Sequence, residues 1–257
     1  MRKIHYLVLA FLFFSSISFA QLHPITYSDD DQLLYGFGAK PLKKSAEKPG
    51  ILILPAWMGI DKASKDIAEK VSTMGYYSFI ADIYGEDNYP KDFAEAGKFA
   101  GFYKANYIEY QKRIELALDQ LILLGANPDN IVIIGYCFGG TGALEAARGH
   151  LNIKGVVSFH GGLSKNVSRA VEPITAKVLV CHGADDPFES KDEIASFQQE
   201  MKESNADWQM IYYANAVHSF TNPEAGNDNS KGAAYNEIAD KRSWEHLKLF
   251  LDEVLIK

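Results

Sequence analysis

The sequence predicts an α/β domain with a doubly wound, mostly parallel sheet and helices on both of its faces. Short apolar runs recur at residues 51–54, 131–134 and 178–181 and, with one serine, at 156–159. Runs of that kind mark strands buried on both sides, as in parallel sheets. Helix-forming stretches separate them, so β and α patterns alternate along the chain. No internal repeat, low-complexity tract or linker divides it, and residues 21–257 read as one domain.

In order, residues 25–37 read as a preceding strand or hairpin and 51–54 as the first central strand. Residues 61–74 read as an amphipathic helix with Asp61 at its cap. A strand is expected over 77–84, then a helical region over 92–124 broken near Ala105 and Asn106. Its second half carries Ile114, Leu116, Leu118, Leu121 and Leu124 at helical spacing. The 131–134 strand is followed by a helix over 141–148. Two strands at 156–159 and 178–181, a helix over 190–203, a strand over 210–213 and a helix over 243–256 complete the pattern. Residues 222–232 form a polar loop without periodicity, expected to overhang the site. In such sheets ligands bind at the carboxyl ends of the strands.

Residues 1–20 look like a secretory leader. Arg2 and Lys3 give a positive start, residues 4–14 an apolar core, and Ser18-Phe19-Ala20 a small-x-small cleavage site. An uncleaved anchor is the alternative, although the apolar stretch is short for a bilayer. The expectation is an exported, periplasmic or secreted protein, free of the membrane once the leader is removed, and a monomer. Formal net charge is −7 and becomes two units more negative without Arg2 and Lys3. With no basic stripe, nucleic-acid binding is not expected. Two cysteines in an exported chain invite a disulfide. A bridge between Cys137 and Cys181 would consume the residue discussed next, so two free thiols are expected. No zinc-type spacing of His and Cys occurs, and no metal is expected.

The most informative stretch is Ile131-Val-Ile-Ile-Gly135-Tyr-Cys137-Phe-Gly139-Gly140. A buried strand runs into a helix through G-x-C-x-G-G, the form of a nucleophile elbow with cysteine in place of serine. Gly135 and Gly139 flank the sharp turn where side chains would collide. The helix directs its N-terminal amides and dipole at the sulfur, which favours thiolate. The motif alone decides little, since a glycine-rich turn with an inert cysteine has the same pattern.

Partners downstream carry the argument further. After the strand ending at Cys181 comes His182-Gly183-Ala-Asp185-Asp186-Pro187. A carboxylate there is placed to orient a histidine ring, and two aspartates compete. Counting Gly-x-x-Asp from Gly183 favours Asp186 over Asp185; alternatively both cap the following helix. After the last strand comes Ala214-Asn-Ala-Val-His218-Ser-Phe-Thr-Asn222-Pro. His160 and His182 also end strands, but only His218 satisfies both position and the order nucleophile, acid, histidine.

Together these three motifs, with Ala81-Asp-Ile-Tyr84-Gly85 after the second central strand, resemble the dienelactone hydrolase family from about Gly50 onward. The resemblance implies an α/β-hydrolase fold. It also implies a Cys137-His218-Asp186 triad hydrolysing a small carboxylic ester or lactone through a thioester, without cofactor. The oxyanion hole would be the backbone N–H groups of Phe138 and Trp57. Departures from the family pattern concern the substrate. Ala56 stands where the family carries a glutamate that engages the resting thiol. Glu86 and Asn222 stand where it carries two carboxylate-binding arginines, and neither can act as a guanidinium fork. A neutral ester is therefore expected to fit better than dienelactone, with Trp57, Tyr84, Phe138 and Phe188 as apolar wall and His160 lining the pocket. Thioester hydrolysis or acyl transfer on the same triad, and a non-catalytic binding protein, are the alternatives.

Overall fold

The computed structural model describes residues 21–256. The leader expected over residues 1–20 lies outside the described residues. Eight strands form one sheet in the order β1-β2-β4-β3-β5-β6-β7-β8. The strands β1 (His23–Asp29) and β2 (Gln32–Ala39) form the expected hairpin and pair antiparallel. β2 also runs antiparallel to β4 (Tyr77–Ile80). From β4 onward every pairing is parallel, through β3 (Gly50–Leu54), β5 (Ile131–Tyr136), β6 (Gly155–Phe159), β7 (Lys177–Gly183) and β8 (Trp208–Tyr213).

Strands β3 to β6 are buried at every position, as their apolar runs demand. Two apolar layers cover the sheet. One contains Leu52, Ile133 and Val156 under α2 (Phe93–Ala105), α3 (Tyr107–Leu124), α4 (Phe138–Arg148) and α5 (Lys191–Glu203). The other contains Ile51, Ile134 and Val157 under α1 (Lys62–Thr73) and α6 (Glu237–Val254). Alternate residues of each strand point to opposite layers, the period of two that a pleated sheet imposes. Cys181 belongs to the α1/α6 layer, whereas Cys137 packs against the other. Both thiols are free.

Several boundaries differ from the sequence reading, each for a local reason. β4 ends at Ile80 and not at Tyr84, because the Asp82 carboxylate gathers the amides of Tyr35, Tyr84 and Gly85 and turns the chain out of the sheet. α4 starts at Phe138, three residues early, since Gly139 and Gly140 are helical despite their low propensity. α6 starts at Glu237 behind an Asn236 cap, where a polar first turn hides helical periodicity. Asp61 caps α1 in a reciprocal box with Ser64. The 105–106 break is real: Asn106 closes α2 and opens α3.

Helix α4 is buried along its whole length. At its C-terminal end Arg148 holds Glu200 of α5 with two hydrogen bonds of 2.8 and 2.7 Å, and Glu145 at 2.8 Å. Arg169 binds the second oxygen of Glu145 at 2.7 Å. Each buried carboxylate is thus paired and hydrogen-bonded, the condition under which charge is tolerated inside a protein.

Candidate active site

The elbow of the chain is built by close backbone approach. Cys137, at the cap position of α4, has φ 55° and ψ −114°, a conformation rare for a residue with a side chain. It persists because its surroundings leave no alternative. The Cys137 amide donates to the Phe159 carbonyl at 3.0 Å, and its carbonyl accepts from Gly140 and Thr141 at 2.9 and 3.2 Å. A Cβ on Gly135 would lie 1.9 Å from the Gly139 carbonyl oxygen, and one on Gly139 would lie 2.1 Å from the Leu54 carbonyl oxygen. Both positions therefore admit only glycine.

Three side chains meet at this turn. His218 Nε2 lies 3.1 Å from Cys137 Sγ, and its Nδ1 lies 2.9 Å from Asp186 Oδ2. Asp186, not Asp185, supplies the carboxylate; its Oδ1 also accepts the Phe188 amide at 2.9 Å. Asp185 is exposed, and neither aspartate caps α5, which is closed by a box between Ser190 and Glu193. The His218 main chain is held on both sides by the polar segment, its amide donating to Gly232 and its carbonyl accepting from Ala234. Residues 222–232 contain two 3-10 turns, and the Gly232 carbonyl at their end holds the His218 amide.

The charges of this chain are mutually supporting. For His218, burial opposes the charged ring, but the bonds to Asp186 and Cys137 outweigh it and raise its pKa to about 10. For Cys137, burial opposes ionisation most strongly, yet His218, the Phe138 amide and the charge of Lys104 together hold the thiol below its ordinary value. Both shifts run toward an ionised sulfur beside a charged ring, at the positive end of α4. Cys181 has no such help: burial pushes its thiol up to about 12, only partly offset by the Tyr213 hydroxyl.

The remaining sequence candidates separate. Tyr84 is buried beside the elbow; its hydroxyl donates to the Trp57 carbonyl at 2.8 Å and its ring stacks on Phe138 at 5.8 Å. Trp57 stacks on Phe93, the first residue of α2, at 5.6 Å. The Phe138 amide is turned to the sulfur, but its ring is stacked at 4.6 Å on Tyr110 in the core and is no part of a pocket wall. Phe188 is exposed, with its ring edge-on to His218 at 5.4 Å. His160 is buried behind His218, its ring 5.3 Å away and its Nε2 on Thr221, so it backs the triad and does not line an open pocket. Glu86 is exposed and bonded to the Tyr35 hydroxyl, while Asn222 caps a 3-10 turn. The sequence reading missed Lys104, whose charge reaches Cys137 from the far end of α2, because a lone lysine in the last turn of a helix carries no motif. Among the described residues no group of three or more His, Cys, Asp or Glu is placed to hold a metal ion. No helix among them is long and apolar enough to cross a membrane.

A model of the dienelactone hydrolase family matches residues 36–255. The chain belongs to the dienelactone hydrolase family. Membership of that family makes it a carboxylic ester hydrolase with an α/β-hydrolase fold. A probable 2-oxo-3-(5-oxofuran-2-ylidene)propanoate lactonase of Bradyrhizobium is 28% identical over 214 residues, 79% of this chain and 83% of the relative. A dienelactone-hydrolase-like promiscuous phosphotriesterase from metagenomic libraries is 31% identical, with a TM-score of 0.87 over 93% of this chain and 100% of that one. An acylaminoacyl peptidase shares the fold alone, at 16% identity and a TM-score of 0.70 over 93% of this chain and 42% of that one.

Proposed function

We propose that this dienelactone hydrolase family member cleaves a small neutral carboxylic ester or lactone by a Cys137-His218-Asp186 triad. The observation that supports it best is the continuous hydrogen-bonded chain from Asp186 through His218 to Cys137, at 2.9 and 3.1 Å. The thiolate attacks the acyl carbon, and the resulting oxyanion accepts hydrogen bonds from the Phe138 and Trp57 amides. Protonated His218 then gives its proton to the leaving alcohol, and a thioester remains on Cys137. Water, deprotonated by His218, releases the acid and restores the thiolate, while Asp186 keeps the ring in one orientation throughout.

Dienelactone itself is a poor candidate, because Glu86 is engaged by Tyr35 and Asn222 by its own turn. Neither offers the paired cationic forks that a carboxylate-bearing lactone needs. A second reading, hydrolysis of a neutral aryl phosphotriester on the same sulfur, is favoured by the likeness to the metagenomic phosphotriesterase over 93% of this chain. The deciding experiment compares wild type with Cys137→Ala on p-nitrophenyl acetate and butyrate, an acyl thioester, an aryl phosphotriester and dienelactone. Cys137-dependent hydrolysis of the neutral aryl esters above the others is the expected outcome. Equal rates for the two proteins would remove the enzyme reading at this site.

A further inference from the structure

Beside the nucleophile helix lies a notch that the triad does not use. Thr141 stands one turn after Cys137, to whose carbonyl its amide is bonded. Its side chain is 4% exposed, and its hydroxyl oxygen has no hydrogen-bond partner among the described residues. Buried hydroxyls are normally satisfied, so an unpaired one marks a place for a ligand group or a water. Gly162, between β6 and β7, faces the Thr141 hydroxyl without a side chain. A Cβ built on Gly162 would lie 3.0 Å from Thr141 Oγ1 and 3.4 Å from both Glu189 Oε1 and Lys104 Nζ. Three polar atoms from α4, from the loop before α5 and from the last turn of α2 therefore converge on one point.

The two charged groups are held apart there, with no Lys104–Glu189 ion pair within 4.0 Å among the described residues. Glu189 is steered through its other oxygen, Oε2, which accepts the Leu163 amide at 3.1 Å. Burial, reinforced by Glu193 and Asp186 and opposed by the Leu163 amide and Lys104, raises its carboxyl to about 7.

We propose that this notch is a hydroxyl-binding subsite, selecting esters or lactones that carry a hydroxyl near the scissile bond. A ligand hydroxyl satisfies all three groups at once. Its oxygen accepts from the Lys104 ammonium and the Thr141 hydroxyl, and its proton is donated to Glu189 Oε1. A hydrocarbon substituent leaves Thr141 unpaired. A carboxylate has no proton to give to Glu189 Oε1 and stands among the carboxyl groups of Glu189, Glu193 and Asp186. The inference rests on the ester-hydrolase reading above and narrows its substrate class.

Specificity constants for four esters test it: methyl butyrate, methyl β-hydroxybutyrate, ethylene glycol monobutyrate and monomethyl succinate. Their hydroxyls lie on neither side, the acyl side and the alcohol side of the ester, and the last carries a carboxylate. Wild type is expected to favour one hydroxylated ester over methyl butyrate by at least about 10- to 100-fold, short of the roughly 10⁴- to 10⁵-fold that a fully enclosed site built for a substrate hydroxyl achieves. Gly162→Ala, which fills the notch, and Thr141→Val should each bring that ratio to within about threefold of unity. No hydroxyl preference in wild type, its survival in both variants, or a preference for the succinate would overturn the subsite while leaving ester hydrolysis standing. If no ester were cleaved, the hydrolase reading would fail separately. The subsite would then be read by titrating the corresponding amides into Cys137→Ala and Cys137→Ala/Gly162→Ala and following backbone amide chemical shifts. Tighter binding of the hydroxylated amide that Gly162→Ala abolishes supports it, and equal binding overturns it.

Discussion

Replacing Gly135 by alanine tests whether the elbow is held by backbone contact. The new Cβ would stand 1.9 Å from the Gly139 carbonyl oxygen, 2.2 Å from its carbon and 2.8 Å from the Gly140 nitrogen. All three are main-chain atoms of the first turn of α4, so no rotamer change relieves the clash. The strand end or the helix start must move by about 1 Å, and Cys137 and the Phe138 amide move with it. A misplacement of about 1 Å costs on the order of 100-fold in rate, and overpacking of this kind costs about 1–3 kcal/mol. At about 2–4 °C per kcal/mol for a domain of this size, the melting temperature should fall by roughly 2–12 °C. Gly101→Ala is the matched control. It lies inside α2 with nothing within 4 Å of a built Cβ, and removing an interior helical glycine should gain about 0.5–1 kcal/mol. The assay is kcat/KM on p-nitrophenyl butyrate together with a thermal melt followed by circular dichroism. A Gly135→Ala protein within about threefold of wild-type rate, melting at the wild-type temperature, would refute the reasoning.

Three further predictions concern charge. Titration of Cys137 by thiolate ultraviolet absorbance should show a midpoint below the ordinary cysteine value of about 8.5, because His218 favours the ionised sulfur; Cys181, pushed up to about 12, should stay silent below that range, and an ordinary midpoint for Cys137 would contradict the ion pair. Asp186→Asn removes the charge that raises His218, so the Cys137 midpoint should rise and kcat/KM fall by on the order of 10⁴, as for the corresponding change in other triads; a pH–rate profile superimposable on that of wild type would count against it. Arg148→Met leaves Glu200 buried without its cation, while Glu145 keeps only Arg169, and breaking a buried pair costs about 3–5 kcal/mol, to be read as a lower urea midpoint with an unchanged slope.

How much of this was legible in the sequence depends on the range of the forces involved. The central strands were readable because a strand buried on both faces must be apolar throughout, as β5 is. That Cys137, His218 and Asp186 could meet was readable because chain order and strand ends restrict where each can stand; the choice between Asp185 and Asp186 needed the fold, since both share one loop. Asp82 is the opposite case. It ends β4 by gathering the amides of Tyr35, Tyr84 and Gly85 and the Tyr89 hydroxyl, contacts that reach 47 residues along the chain. No local pattern announces such a hub. Phe138 shows a second limit, because its backbone faces the sulfur while its ring belongs to the core. Lys104, Thr141, Gly162 and Glu189 come from four separate elements, and only tertiary structure brings them to one point.

The charge cluster at the far end of α4 bears on how the site ages under heat. The helix works as a strut: its first turn fixes the sulfur, and its last residue is clamped to α5, the helix that follows the Asp186 loop. Sulfur and carboxylate are thereby referenced to one frame through two rigid rods, and His218 is braced between them. Drift of α4 relative to α5 requires breaking the desolvated Arg148–Glu200 contact, an event closer in free energy to global unfolding than to loop motion. Heat should therefore extinguish the site and the fold together, with no inactive but folded form accumulating first.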